Sequence, residues 1–324
     1  MEIITNNHVI RDEEVLSINE NKQFIGANTV EVTLNHLKND CIIPVFSKDN
    51  ETTISHYEFI NETQNIVEDL LPEFTPNKPN IRVSHMIKGR IPSAIGKPVK
   101  ELVEHEKTIY YERCAFLIEI PQIQTKIQNN TLSLTVGGVR SLNQENLYSK
   151  KTVEKFKVFI GFQNKVCTNL CVSTDGLCNE IRISSISELH TGILNLFKEY
   201  NQQEQIEALN NMSSHSLSEK QFAHLIGRLR MYQHLPKNEQ CGIFPVLLND
   251  SQINNVVKEY YNCSNFSRNS NGDINLWRLY NLLTEANKSS YIDSFLERSV
   301  NSFELVQNIG VSLKNGTPNW FLNN

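Results

Sequence analysis

Residues 156–196 read FKVFIGFQNKVCTNLCVSTDGLCNEIRISSISELHTGILNL, and the fold class turns on them. Val166, Thr168, Leu170 and Val172 alternate with Cys167, Asn169 and Cys171, the period-two pattern of a half-buried strand. Thr174-Asp175-Gly176 follows, and Asp-Gly between two strand-like runs signals a hairpin with residues 181–184 as the return strand. Ser185-x-x-Glu188 then forms a capping box ahead of Ile186, Leu189, Ile193, Leu196 and Tyr200, which recur at helical spacing. The stretch passes from strand to helix, and the chain divides the same way around it.

Upstream, residues 1–35 read as short helix or coil, and 41–60 as two short strands around a Lys48-Asp49-Asn50 turn. An acidic helix follows and stops at Pro72. The run TPNKPN is the best boundary in the chain. Pro98 opens a short helix through Leu102 and His105; residues 115–120 form a strand closed by Pro121. The run LSLTVGG (132–138) is a strand whose Gly137-Gly138 marks a bulge or a close backbone approach. Downstream the pattern is helical: Ser218 caps one helix, Asp250 or Ser251 opens another, and two more are broken near Asn287. The expected fold is α+β, an antiparallel sheet over about residues 81–185 with a helical C-terminal half packed against it. Three regions result: an acidic segment 1–73 with short strands, a β-rich core 81–185 and a helical region 186–324, the last two as one globular unit.

The 324 residues are 39% hydrophobic with mean hydropathy -0.37, enough for a core. No run of about 18 apolar residues exists, so no membrane span is expected. The start, MEIITNNHVIRDEE, lacks the basic and apolar regions of a secretory signal, and a cytoplasmic location is the expectation. Seven cysteines, an odd number, point to reduced thiols rather than a disulfide framework. Cys167, Cys171 and Cys178 lack the paired spacing of a zinc site and read as buried structural thiols; neither metal nor cofactor is expected.

The net charge of -5 conceals an asymmetry. Residues 1–73 hold 14 acids against 4 bases, a net of -10, which leaves +5 for the rest. Residues 74–100 contain no acid but carry Lys78, Arg82, Lys88, Arg90, Lys97 and Lys100. A basic body suggests a polyanionic partner, with chance clustering on a solvated surface as the plain alternative. The opposite charges also suggest that residues 61–73 fold back near Arg82, Lys88 or Arg90 as a loose cover, unless the ISHYEF run simply adds a strand to the sheet.

Catalytic signatures such as H-E-x-x-H, G-x-S-x-G and G-x-G-x-x-G after a strand are missing. Glu104-His105-Glu106 on a helix would point about 100° apart and not converge. His190 could meet Cys167 or Asn169 across the hairpin, as a Cys-His pair or as hydrogen-bonded core residues. Tyr110, Tyr111, Tyr148, Phe159 and Phe162 lie among the basic residues, the combination that single-stranded nucleic acid needs: charges for phosphates, rings for bases.

The runs IRVSHMIKGRIPSAIGKPVKELVEHEKTIYYERCAF, GGVRSLNQENLY, FKVFIGFQNKVCTNLCVSTDG and NLWRLYNLLTEANKSSYIDSFLERSVNSF closely resemble an uncharacterised family of mobile elements, phages and conjugative elements, domain of unknown function 3871. VCTNL, LHTG and Tyr280-Asn281-Leu282-Leu283-Thr284 are similar to motifs of a broader phage and plasmid family, domain of unknown function 932, with Leu170 where that family has threonine. Neither resemblance implies an activity or a catalytic residue; both imply a mobile-element setting. The leading expectation is binding or annealing of single-stranded nucleic acid through Arg82, Lys88, Arg90, Lys97, Tyr110, Tyr111 and Arg140. A second is a defence-evasion or regulatory protein that holds a host protein or a small nucleotide, with Cys167, Asn169 and His190 in a pocket. An unrecognised enzyme is the third, and the oligomeric state stays open.

Overall fold

The computed structural model describes residues 23–44, 53–94, 96–145 and 153–322. An edge strand β1 (Val30–Val32) is followed by helices α1 (Leu34–Asn39) and α2 (His56–Leu70). Five longer or shorter strands then build the sheet with one more at its end: β2 (Asn80–Arg90), β3 (Lys107–Ile127), β4 (Asn130–Ser141), β5 (Glu154–Asn164), β6 (Leu170–Cys171) and β7 (Leu177–Ile183). The spatial order is β1-β2-β3-β4-β5, every pairing is antiparallel, and β6 and β7 share the outer edge of β5. Helices α3 (Ile186–Glu199) and α4 (Gln202–Ser213) come next, then a small ribbon whose first strand is β8 (Ser216–Leu217). α5 (Glu219–Tyr232), α6 (Lys237–Gln240) and α7 (Asp250–Asn262) lead to the ribbon's second strand, β9 (Ile274–Asn275). α8 (Leu276–Asn287) and α9 (Ile292–Asn315) complete the chain. This is the expected α+β arrangement, with the sheet curled and the C-terminal half helical.

Alternation along the strands separates two faces. Phe116, Ile118, Val136, Phe156, Val158 and Ile160 face α2 and α3. Ala115, Leu117, Val139 and Phe159 face the other way, onto Phe24, Ile25 and the start of α9, with Phe295 and Leu296. Gly138 lies under α2: a Cβ there would strike the Phe59 ring and come 2.9 Å from Lys157 O. Gly137 faces the opposite side, where a Cβ would meet the Phe159 ring at 2.8 Å. The glycine pair therefore marks close approach on both faces. Helix α8 buries ten of its twelve residues, Asn281, Thr284 and Asn287 among them, because it is packed by neighbouring elements on nearly every side.

Several local expectations are corrected. Residues 166–172 are not one strand: Thr168 takes φ 61°, its N–H donates to Asn164 O at 2.7 Å, and only Leu170 and Cys171 pair with β5. Thr174-Asp175-Gly176 does turn, but β6 and β7 both pair with β5 rather than with each other, so no hairpin forms. Ser185 caps α3 as expected, accepting from Glu188 N. The ISHYEF run opens α2, capped by a Ser55–Glu58 box, and is not a strand. α2 does end before Pro72. β3 runs through Pro121 by means of a bulge between Ile120 and Gln124. The Lys48-Asp49-Asn50 turn and Tyr148 lie outside the described residues. No helix among the described residues is long and apolar enough to cross a membrane.

Candidate functional site

At one end of the sheet β2 and β3 outrun their neighbour. The last β3–β4 pair is Arg113 with Ser141, whereas β2 and β3 stay paired out to Arg90 with Lys107. His85, at φ 57°, kinks β2 where this begins. Residues 86–111 thus form a two-stranded arm tipped by short 3-10 turns at Pro92–Ala94, Val99–Glu101 and Glu104–Glu106. Lys88, Lys97, Lys100 and Lys107 are exposed on it and Arg90 is half-buried. Lys97 pairs with Glu106 and Lys107 with Glu104, at 2.9 Å for the latter. Arg90 donates to Lys97 O. Lys88 and Lys100 have no ion pair among the described residues. Met86, Val99 and Val103 add exposed apolar surface.

Beneath the root of the arm lies a buried charge cluster. Arg140 on β4 is fully buried, bonds Glu145 at 3.0 Å and Glu154 at 2.6 Å, and donates to Ile54 O just before α2. Its guanidinium stacks on the Phe156 ring, 4.6 Å from the centroid. Glu154 in turn accepts from Ile54 N at 3.1 Å. Two carboxylates and a carbonyl thereby compensate one buried cation, the condition for such a group to be tolerated. Burial raises the Glu154 carboxyl, against the pull of Arg140. His56 at the start of α2 is buried too; burial, then Arg140, push it down to about 3, and its Nε2 donates to Tyr111 O at 2.8 Å.

A third group adjoins it. His36 on α1 places Nδ1 2.8 Å from Asp40 Oδ2 and Nε2 3.1 Å from Tyr111 Oη. Cys41 Sγ stands 3.7 Å from the same Nε2. Ile42 N donates to Ile109 O at 2.9 Å, so the chain after α1 runs beside β3 where β4 has ended. Sequence reading passed over His36, Asp40, Cys41, His56, Glu145 and Glu154. The one signal present was the i,i+4 spacing of His36 and Asp40, which puts both on one helical face.

Of the seven residues expected to contact nucleic acid, Lys88, Arg90 and Lys97 sit on the arm. The other four do not reach solvent as expected. Arg82 is 4% exposed and bonds Thr29 and Gln23, with Glu31 at 3.8 Å. Arg140 belongs to the buried cluster; Tyr110 and Tyr111 are buried. Phe159 and Phe162 are core residues, because the outward-facing positions of β5 are covered by helices on both sides.

Cys167 and Asn169 meet on Asn281, and His190 does not join them. His190 Nδ1 lies 2.5 Å from Glu62 on α2. Asn169 is buried, as expected, but its amide donates to Asn281 O on α8 at 2.9 Å, not to the His190 helix. Asn281 Oδ1 also accepts from Asn164 at 3.1 Å and lies 3.7 Å from Cys167 Sγ. This asparagine knot fastens α8 to the far end of the sheet. None of the seven cysteines forms a disulfide, and among the described residues no group of three or more His, Cys, Asp or Glu is placed to hold a metal ion.

The profile of the family described as "Domain of unknown function, B. Theta Gene description (DUF3871)" matches residues 3–322. The chain belongs to this family. DUF3871 membership covers the sheet, the arm and all the helices in one match, so neither end of the sheet is an addition to the family's domain. No curated protein and no solved structure matches the chain.

Proposed function

We propose that the chain binds nucleic acid for a phage or conjugative element, and that the β2–β3 arm makes the contact. The observation that supports this is a paired ribbon with four exposed lysines, two of them without an ion-pair partner among the described residues. Tyr110, Tyr111, Phe159 and Phe162, expected to stack on bases, are buried, so the contact falls on phosphates, which position a strand without reading its sequence. Two-stranded ribbons are a known way to enter a groove, and exposed Met86, Val99 and Val103 resemble the apolar wedges used there. The similarity to motifs of family 932 and the mobile-element resemblance favour this reading over a pocket for a host protein or nucleotide, in which His190 would have to join Cys167 and Asn169 but instead meets Glu62.

The test is fluorescence anisotropy with a labelled single strand and its duplex across a salt series. Lys88→Ala with Lys100→Ala should weaken both and flatten the slope of log K against log salt by about 1.4–1.8, the value for two lost phosphate contacts. An arm that retains no oligonucleotide at low salt ends the proposal.

A further inference from the structure

His36, Asp40, Cys41 and Tyr111 form an arrangement that binding by the arm does not use. Carboxylate, imidazole and thiol stand in sequence: Asp40 Oδ2 at 2.8 Å from Nδ1, and Cys41 Sγ at 3.7 Å from Nε2. We infer that these residues form a nucleophilic site that accepts an acyl group from an ester or thioester, with Cys41 as nucleophile and His36 as its base. The geometry is held locally. Thr33 caps α1 by accepting from His36 N at 3.2 Å, Asp40 N donates to His36 O at 3.0 Å, and the Ile42 bond to β3 fixes the residue after the thiol. Orienter and base are thus one helical turn apart, and little side-chain freedom is lost in aligning them.

Burial and the Asp40 carboxylate push the Cys41 thiol up to about 11. At neutral pH the sulfur therefore keeps its proton, and attack requires a base within reach, which Nε2 supplies. As Sγ attacks the carbonyl carbon, an S–C bond forms, the thiol proton passes to Nε2, and the carbonyl π pair moves onto oxygen. Collapse breaks the bond to the leaving oxygen or sulfur, which takes the proton from Nε2 and departs as alcohol or thiol. Water, giving its proton to Nε2, then cleaves the thioester; acid is released and the thiol restored.

Tyr111 completes the site. With the Nδ1 proton directed at Asp40, the one lone pair of Nε2 faces both the Tyr111 hydroxyl at 3.1 Å and the Cys41 thiol, and the hydroxyl must turn away for the thiol proton to reach Nε2. Once Nε2 carries the thiol proton it can no longer accept, and the hydroxyl is released to donate to the oxyanion forming beside it. Burial, then Cys41, raise the Tyr111 pKa, so the phenol remains a donor. Asp40 is exposed and Cys41 half-buried, so the acyl group enters from the surface.

The full-length chain treated with p-nitrophenyl acetate should release a burst of nitrophenolate and carry an acetyl group on Cys41 ahead of the exposed Cys241. His36→Ala should slow acetylation of Cys41 by about 10²–10⁴-fold, and added imidazole should restore part of the rate. Asp40→Asn, at an exposed position, should slow it while the fold is kept, and decides the matter if His36→Ala does not fold. Acetylation of Cys241 in preference to Cys41, or an unchanged Cys41 rate in Asp40→Asn, overturns the inference whether or not the arm binds nucleic acid.

Discussion

His56 shows what a buried cation does to a neighbour. Its Nε2 donates to Tyr111 O, while its Nδ1 has no partner among the described residues. Burial and Arg140 both disfavour the imidazolium and lower the pKa from 6.5 to about 3. The unfolded chain therefore takes up a proton near 6.5 that the folded chain refuses until about 3. Stability from this residue is complete above 6.5 and falls as the pH drops towards 3, by about 1.4 kcal/mol per pH unit. Glu154 acts in the opposite sense: its raised pKa lets the folded state bind a proton first, so its contribution grows as the pH falls towards its ordinary value of 4.5. Glu154 contributes alike in wild type and in His56→Gln, so the difference between the two isolates His56. Urea midpoints measured downward from pH 7 should decline more steeply in the wild type than in His56→Gln. Equal slopes for the two proteins would show that His56 takes its proton in the folded state.

Helix starts were legible because caps are local. Ser185 and Ser218 were read from side chains within three positions of the cap, and both helices begin there; the helix read as opening at Asp250 or Ser251 begins at Asp250, with Asn249 as the cap that the reading passed over. The same signal stood in Ser55-x-x-Glu58, yet the β-branched run before it suggested strands. The strand over 166–172 failed for a different reason. Alternation records which side each residue faces only if the backbone stays extended, and Thr168 in the left-handed region reverses it. The buried charge cluster around Arg140 was illegible because its members come from α2, β4, β5, the residues just before α2 and the connection between β4 and β5, and no local spacing links them. Glycines 137 and 138 were legible as close approach, though not what approaches. Gly138→Ala tests that contact: the added carbon meets Phe59, whose ring already lies edge-on to Phe116 at 5.0 Å and Phe156 at 4.7 Å. α2 must lift, or the strand must shift from Lys157 O, at a cost of about 1–3 kcal/mol. A denaturant midpoint equal to that of the wild type would show that α2 yields without strain.

At the scale of the whole molecule, the charge asymmetry pointed to an acidic cover over a basic body, and the structure gives the segment another role. α2 packs its apolar side on the sheet; Phe59, Ile60, Ile66 and Val67 are inaccessible to solvent. The acids of residues 61–73 do not pair with Arg82, Lys88 or Arg90 in the described structure; Glu62 meets His190 instead, and Glu31 of β1 is the acid near Arg82. Glu58, Glu68 and Asp69 of α2 are exposed, because its other side is needed for burial. Deleting residues 1–73 separates cover from core. Burying each of those four side chains contributes about 1.5–3 kcal/mol, so their loss alone approaches the about 5–15 kcal/mol that holds a domain folded. The deletion also removes β1 from the edge of β2 and the Ile54 carbonyl and amide that Arg140 and Glu154 bond. The truncated chain should lose its cooperative thermal transition and bind a dye that reports exposed apolar surface. A truncation that melts cooperatively near the wild-type temperature, with higher oligonucleotide affinity at low salt, would instead establish the segment as a detachable cover.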